Sequence, residues 1–266
     1  MTELKQEATF FNYIAPKIRA LVLSFEGKAS ISVQKTSDDY ATEVDIAVEN
    51  LIVTQIQERF PGDAVMAEES FSDTQIPAGR IWIIDPICGT ANIGRGLTSF
   101  CTNIALADKG VLIASCVVDH SQNDYFWSLG ENKIYVNQEL LEHKEKVDGM
   151  GILIDVDMGA SKNLTSSSEA HYGSYLKTLV NDTDYMLMSL NTSLGFAYTA
   201  IGKIDGFVNV FNHPWDICAA SFLLQQADCT ITDLKGNPWT ITSVGAIGAR
   251  SPIVHKQLLS AYIGKS

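Results

Sequence analysis

The second half of the chain alternates between two patterns. Strand-like runs at Ile152 to Val156, Tyr185 to Ser189 and Phe207 to Phe211 are followed in turn by helix-like segments at Glu169 to Val180, Ser193 to Ile201 and Trp215 to Ala227. This constrains the fold strongly, because each sheet face and each helix stripe must be buried against a neighbouring layer. It predicts a layered α/β (α+β) sandwich in which helices pack on sheets. A last helix is expected from Pro252 to Ile263.

The first half supplies different pieces. Phe10, Phe11, Ile14, Ile18, Leu21, Val22 and Phe25 recur at helical spacing, with Gly27 as the stop. A second helix is expected from about Tyr40 to Phe60, ended by Pro61-Gly62, and Ala29 to Lys35 alternates weakly, as a strand or hairpin arm would. Ala64-Val65-Met66 and Ile81-Trp82-Ile83-Ile84 are short apolar runs that lead into acidic residues. They read as buried strands presenting carboxylates at their C-terminal ends. Ile104 to Ala107, Val111 to Asp119 and Tyr125 to Leu129 suggest an antiparallel meander turning at Lys109-Gly110.

At 266 residues, with no low-complexity or Pro-rich linker, the chain reads as a single unit, 1–266, made of two closely packed halves of about 1–150 and 151–266. A net charge of -12 argues against nucleic acid and anionic membranes as partners. The five cysteines have no metal-finger or redox spacing, so a disulfide framework is not expected and a reducing cytoplasm fits. The polar, acidic N-terminus is no signal peptide, and no apolar run approaches the roughly 18 residues that span a bilayer.

Three segments carry chemistry: Ala67-Glu68-Glu69-Ser70; Trp82-Ile83-Ile84-Asp85-Pro86-Ile87-Cys88-Gly89-Thr90-Ala91-Asn92; and Pro214-Trp215-Asp216-Ile217-Cys218-Ala219-Ala220. Thr42-Glu43-Val44-Asp45 is a weaker fourth. In the second, the strand is expected to end at Asp85, since Pro86 cannot donate to a ladder. Gly89-Thr90 would then open a helix or turn whose N–H groups face outward, an anion site beside a carboxylate. Mg²⁺ suits that arrangement, because it takes a few carboxylates and leaves positions for substrate phosphate. Singly, each feature has an ordinary explanation. Asp-Pro is a common turn, a first-turn Asp216 complements its helix dipole, and adjacent Glu68 and Glu69 form a solvated pair.

Together and in order, the segments resemble the inositol monophosphatase family of Mg²⁺-dependent, Li⁺-sensitive phosphatases, over nearly the whole chain. Ala200-Ile201-Gly202-Lys203-Ile204-Asp205-Gly206 matches that family's helix before its late strand. The resemblance implies alternating helix and sheet layers, a homodimer, and a metal-activated water that attacks a phosphate monoester. It implies that Glu68, Asp85 and the Ile87 carbonyl hold a first Mg²⁺. A second would lie between Asp85, Asp216 and the position of Cys88. Thr90, assisted by Asp45, would orient the water together with Glu68. Backbone N–H groups near Gly89 and Thr90 would receive the phosphate, so Ile87, Cys88, Gly89, Thr90, Asn209 and Asp216 would contact substrate. Lys35 falls at a mobile loop bordering the family's metal site, or is a solvated loop lysine.

Cys88 departs from the pattern, which has aspartate there. A thiol removes a hard oxygen ligand and favours softer ions, so the second Mg²⁺ should bind weakly or not at all, with Mn²⁺ or a softer divalent ion as alternatives. Asn209 stands where many members place a glutamate against the inositol ring, and Ser189-Leu190-Asn191-Thr192-Ser193 replaces a Gly-Ser or Gly-Thr stretch. Two functions follow. One is a phosphomonoesterase acting on a small phosphorylated metabolite, whether inositol monophosphate-like, sugar or nucleotide. The other is a catalytically impaired member that binds a ligand or partner without turnover.

Overall fold

The computed structural model describes residues 4–25, 31–34, 40–70, 79–142, 150–157 and 166–264. Lys35, Gly27 and part of the 29–35 run lie outside the described residues. The chain begins with α1 (Lys5–Ser24), the short pair β1 (Ile31–Gln34) and β2 (Tyr40–Thr42), and α2 (Glu43–Arg59). There follow β3 (Ala64–Ala67), β4 (Arg80–Cys88), the one-turn α3 (Thr90–Ile93), and the meander β5 (Cys101–Asp108), β6 (Val111–Asp119), β7 (Asp124–Ser128), β8 (Tyr135–Val136) and β9 (Glu139–Leu140). The second half runs β10 (Leu153–Val156), α4 (Ser166–Asp182), β11 (Met186–Met188), α5 (Leu194–Ala200), β12 (Gly206–Asn209), α6 (Pro214–Gln226), β13 (Thr230–Thr232), β14 (Ala246–Ala249) and α7 (Pro252–Ile263).

The layers follow from side-chain alternation along the strands. On β4, Trp82 and Ile84 point into a core built with α1 and α2, where Phe10 packs edge-on to Trp82 at 5.2 Å. Ile81 and Ile83 point the other way, into a core shared with α5, α6 and Phe207 of β12. The next residue on β12, Val208, faces a third core with α4 and α7. The result is an α/β sandwich of five layers: α1/α2, the seven-stranded sheet β3-β4-β5-β6-β7-β8-β9, α5/α6, the five-stranded sheet β11-β10-β12-β14-β13, and α4/α7. No helix of the described residues is long and apolar enough to cross a membrane.

Some expectations require correction. The strand does not end at Asp85. β4 continues through Pro86 to Cys88 by a bulge, with Asp85 opposite Asn103 and Cys88 opposite Cys101. A bulge residue is left out of the ladder, so the missing N–H of Pro86 goes unused; its carbonyl accepts from Thr102 Oγ1 at 2.7 Å. Tyr40–Thr42 pairs with β1 instead of opening α2. Thr42 is the N-cap of that helix, accepting from Val44 N at 3.2 Å, while Asp45 accepts from Thr42 N at 2.9 Å. Of the segment 200–206, Ala200 ends α5, residues 201–205 form a turn and Gly206 opens β12, so the expected helix is absent there. The strands β8, β9, β13 and β14 are only two to four residues long, too short for an alternating pattern to stand out in the sequence.

The α5 layer is held by a buried acid. Asp155 of β10 accepts from Leu190 N at 2.9 Å and lies so close to α5 that a Cβ on Gly195 would sit 1.9 Å from Asp155 Oδ2. Burial pushes this carboxyl up to about 7, the Leu190 N–H opposes the shift and Asp157 adds to it. Unfolded, the same group ionises near pH ~4. The folded chain therefore holds an extra proton between those values, and stability falls as pH rises through about 7. Asp155→Asn should flatten this dependence, melting above the parent at pH 8 and level with it near pH 4. A melting curve at each pH checks this, and equal pH slopes for both proteins would refute it.

Candidate active site

Five elements converge where the first sheet meets the α5/α6 layer. β3 ends at a turn that presents Glu68; Glu68 N donates to Ile84 O at 3.1 Å, and Glu69 N donates to the buried Glu49 carboxylate at 2.8 Å. The bulged end of β4 carries Asp85, Ile87 and Cys88. α2 contributes Asp45 from its first turn, α3 contributes Thr90, and α6 contributes Asp216. Asn103 of β5 ties the halves together, its amide donating to Ser193 Oγ at 2.8 Å and to the Asp216 carbonyl at 3.0 Å.

Carboxylate oxygens of Glu68, Asp85 and Asp216 all lie within 4.8 Å of one another. Asp85 is buried, and its Oδ1 has no hydrogen-bond partner. Its pKa is driven well above the ordinary carboxylate value, first by burial, then by the neighbouring Cys88, Glu68 and Asp216. Three acids this close repel one another, and a divalent cation removes the conflict. The donors are hard oxygens, which suit Mg²⁺, Mn²⁺ or Ca²⁺. A divalent cation therefore fits these residues. Asp216 also caps its own helix, accepting from His213 N at 2.7 Å through Oδ2, so the dipole role and membership of the cluster coexist.

Thr90 sits beside this cluster. Its hydroxyl lies 3.0 Å from Asp45 Oδ1 and 3.0 Å from the Ile87 carbonyl, with its proton directed to those acceptors. Asp45 is buried, and burial raises its pKa even though hydrogen bonds from Thr42 and Thr90 oppose the shift. Gly89, at φ 105°, makes the reversal from β4 into α3. A Cβ there would meet Phe100 Cβ and the Ser99 carbonyl at 3.2 Å, besides being strained at that φ. The amides of Thr90 and Ala91 follow at once, before the first ones that bond within the turn, those of Asn92 and Ile93 to the Gly89 carbonyl.

Cys88 stands outside the three-carboxylate group among the described residues. Its Sγ accepts from Ser193 N at 3.2 Å, and its carbonyl accepts from Thr192 Oγ1 at 2.9 Å. The thiol is held well above its usual pKa, first by the adjoining Cys101 thiol, then by burial and the Asp216 carboxylate, against the pull of Ser193. It is therefore a protonated, neutral group where an anionic ligand would be useful.

A cleft of about 190 Å³ opens beside the cluster, lined by Cys88, Asp157, Asn191, Thr192, Asn209 and His213 among others. Asn209 is buried and its amide is committed to the scaffold. Its Nδ2 donates to Asp157 Oδ2, and its Oδ1 accepts from Phe211 N at 3.0 Å and from the Asn212 side chain. The His213 ring stacks on Trp215 at 4.7 Å and 13°.

Comparison with known proteins agrees with this geometry. A family model described as the inositol monophosphatase family matches residues 5–265. The chain belongs to the inositol monophosphatase family. It is 26% identical over 242 residues to an inositol-1-monophosphatase of Bacillus subtilis, covering 90% of this chain and 89% of the relative. It is 27% identical over 227 residues to the Nus factor SuhB of Pasteurella multocida, covering 85% and 83%. A solved IMPase/NADP phosphatase, complexed with Mg²⁺ and phosphate, shares the fold with a TM-score of 0.81 at 18% identity, over 97% of this chain and 95% of that one.

Within this inositol monophosphatase fold, Glu68, Asp85 and Asp216 come together, and so do Thr90, Asp45 and the Ile87 carbonyl. Cys88 lies next to Asp85 and hydrogen-bonds with it, as well as with Ser193 and Cys101. Asn209 lines the cleft, yet holds its walls together with both ends of its amide. Asp157, Asn212 and His213 were not anticipated. Asp157 had a signal in the sequence, because it directly follows a short apolar run much as Asp85 does; Asn212 and His213 had only their position before Pro214.

Proposed function

We propose that the chain is a divalent-metal-dependent phosphomonoesterase acting on a small phosphorylated metabolite, with Mg²⁺ or Mn²⁺ as its cation. The observation that carries this reading is the adjacency of a three-carboxylate cluster, Glu68, Asp85 and Asp216, to the Thr90–Asp45 pair. Glu68, Asp85, Asp216 and the Ile87 carbonyl would hold the cation, which when bound neutralises phosphate charge and lowers the pKa of a water. The Thr90 hydroxyl, with its proton committed to Asp45 or Ile87, offers its lone pairs to an incoming water and fixes that water's orientation. Asp45, a stronger base than an exposed carboxylate, draws the Thr90 proton as Thr90 takes one from the water. The amides that follow Gly89 receive the phosphate oxygens. The cleft wall of Asp157, Asn191 and Thr192 faces the alcohol portion of the substrate. Because Asn209 is turned to structural duty, inositol monophosphate is one substrate among sugar and nucleotide phosphates.

The test is phosphate release from inositol monophosphate, sugar phosphates and nucleotide phosphates with Mg²⁺, Mn²⁺ and Zn²⁺. Release is expected with Mg²⁺ or Mn²⁺, abolished by chelation, and spread over several substrates. Strict inositol specificity would contradict the reading of Asn209. A second reading, binding without turnover, is favoured by the neutral thiol of Cys88 and by the Nus factor named among the relatives. Background release with every metal, alongside retained binding of a phosphorylated ligand, would establish it over the first.

A further inference from the structure

Cys88 and Cys101 are direct partners across the antiparallel β4–β5 pair. Partners in such a ladder have Cα atoms about 4.5 or 5.5 Å apart, inside the roughly 4.4–6.8 Å range a disulfide bridges. The two thiols interact with each other, and both touch Ser193: its N–H donates to Cys88 Sγ at 3.2 Å, and its hydroxyl lies 3.3 Å from Cys101 Sγ. Thr192 Oγ1 lies 3.4 Å from Cys101 Sγ and also holds the Cys88 carbonyl. The two cysteines differ in access: Cys88 is half-buried and lines the cleft, whereas Cys101 is fully buried behind it. All the other cysteines are free as well, and none of them is paired with a cysteine in the strand registers.

We propose that Cys88 and Cys101 form a redox-sensitive cross-strand dithiol, oxidised by peroxides to a disulfide that disables the cleft. Cys88 sulfur attacks a peroxide oxygen, the O–O bond breaks, and a sulfenic acid and water form. Cys101 sulfur then attacks the Cys88 sulfur, the S–S bond forms, and a second water leaves. Two thiols lose two electrons and two protons, and hydrogen peroxide is reduced to two waters. Cys88 is half-buried and Cys101 fully buried, so access of the oxidant is restricted, and the reaction is slow and answers sustained exposure. Closing the bond takes Cys88 Sγ from the Ser193 N–H and disturbs the Thr192 and Ser193 contacts that seat the start of α5 against the turn leading to Gly89 and Thr90.

Trypsin separates the two cysteines, since cleavage after Arg80, Arg95 and Lys109 yields peptides 81–95 and 96–109 with one cysteine each. After prolonged hydrogen peroxide, the reduced full-length protein should give a linked 81–95/96–109 peptide, lost on treatment with dithiothreitol. In Cys101→Ser, dimedone should instead trap the sulfenic acid on Cys88. Phosphate release should fall roughly tenfold or more on oxidation and return with dithiothreitol, as expected for a displacement of about 1 Å at a positioning group. Finding Cys88 and Cys101 only as separate peptides, or linked to other cysteines, overturns the pair. A linked peptide with unchanged turnover overturns the effect on the cleft. A linked peptide in a protein that releases no phosphate even when reduced refutes the phosphatase reading and leaves the pair standing.

Discussion

Replacing Cys88 by aspartate is expected to raise Mg²⁺-dependent phosphate release by roughly ten- to a thousandfold. The substitution puts an oxygen anion beside Asp85 and near Asp216, where the parent has a thiol held protonated by its surroundings. A carboxylate that secures a cation next to a developing alkoxide is worth several kcal/mol of barrier, and each ~1.4 kcal/mol is tenfold in rate. Mg²⁺ should also act at lower concentration. A second readout needs no turnover. Without metal, a fourth carboxylate in this cluster adds repulsion, so Cys88→Asp should melt below the parent in chelator and gain more from added Mg²⁺. If the parent is already fast with Mg²⁺ and the substitution slows it, Cys88 is not a weakened ligand position.

Asp85→Asn should have the opposite pair of effects. Asp85 is central to the three-acid cluster and its Oδ1 has no other partner, so an amide there should bring phosphate release to background. In chelator the same variant should be the more stable protein. Burial and three neighbours hold the Asp85 carboxyl above its ordinary range. That raised pKa means stability is greatest in acid and is lost as pH rises through the folded value. Removing the charge should lift the metal-free melting temperature by roughly 5 °C or more at pH 8, with the gap closing toward pH 4. Mg²⁺ should stabilise the parent and leave Asp85→Asn unmoved. Calorimetry with and without metal decides the matter, and equal Mg²⁺ stabilisation of both proteins would remove Asp85 from the cation site.

Much of this arrangement was legible in the sequence. Apolar strands on two faces, such as Ile81 to Ile84, announce burial on both sides, and the helices of the second half show their apolar stripes plainly. The motif around Asp85, Thr90 and Asp216 carried the site because each chemical group is local to one strand end or one helix start. What stayed hidden depends on pairing across the chain. The bulge at Pro86 exists because β5 lies alongside, and a single-strand reading sees only a residue that cannot donate. The short strand β14, Ala246-Ile247-Gly248-Ala249, has little β character of its own and is fixed by its neighbours β12 and β13. Asn209 looked like a substrate contact by position, but its amide partners, Asp157, Phe211 and Asn212, come from the far end of β10 and the loop before α6.

The clasp made by Asn103, whose amide reaches Ser193 and the Asp216 carbonyl, spans 113 residues to the latter. During synthesis, β3 and β4 leave the ribosome long before α6 exists. Glu68 and Asp85 are then present as acids without the third member of their cluster. The emerging first sheet also lacks the α5/α6 layer, so the face bearing Ile81, Ile83 and Phe126 is open to water or to a chaperone. Translation must pass α6 before that face is covered and the acids can share a cation. The order of manufacture thus makes the acid cluster a late arrival, and a ribosome that stalls before Asp216 releases a sticky sheet with only two of its three acids.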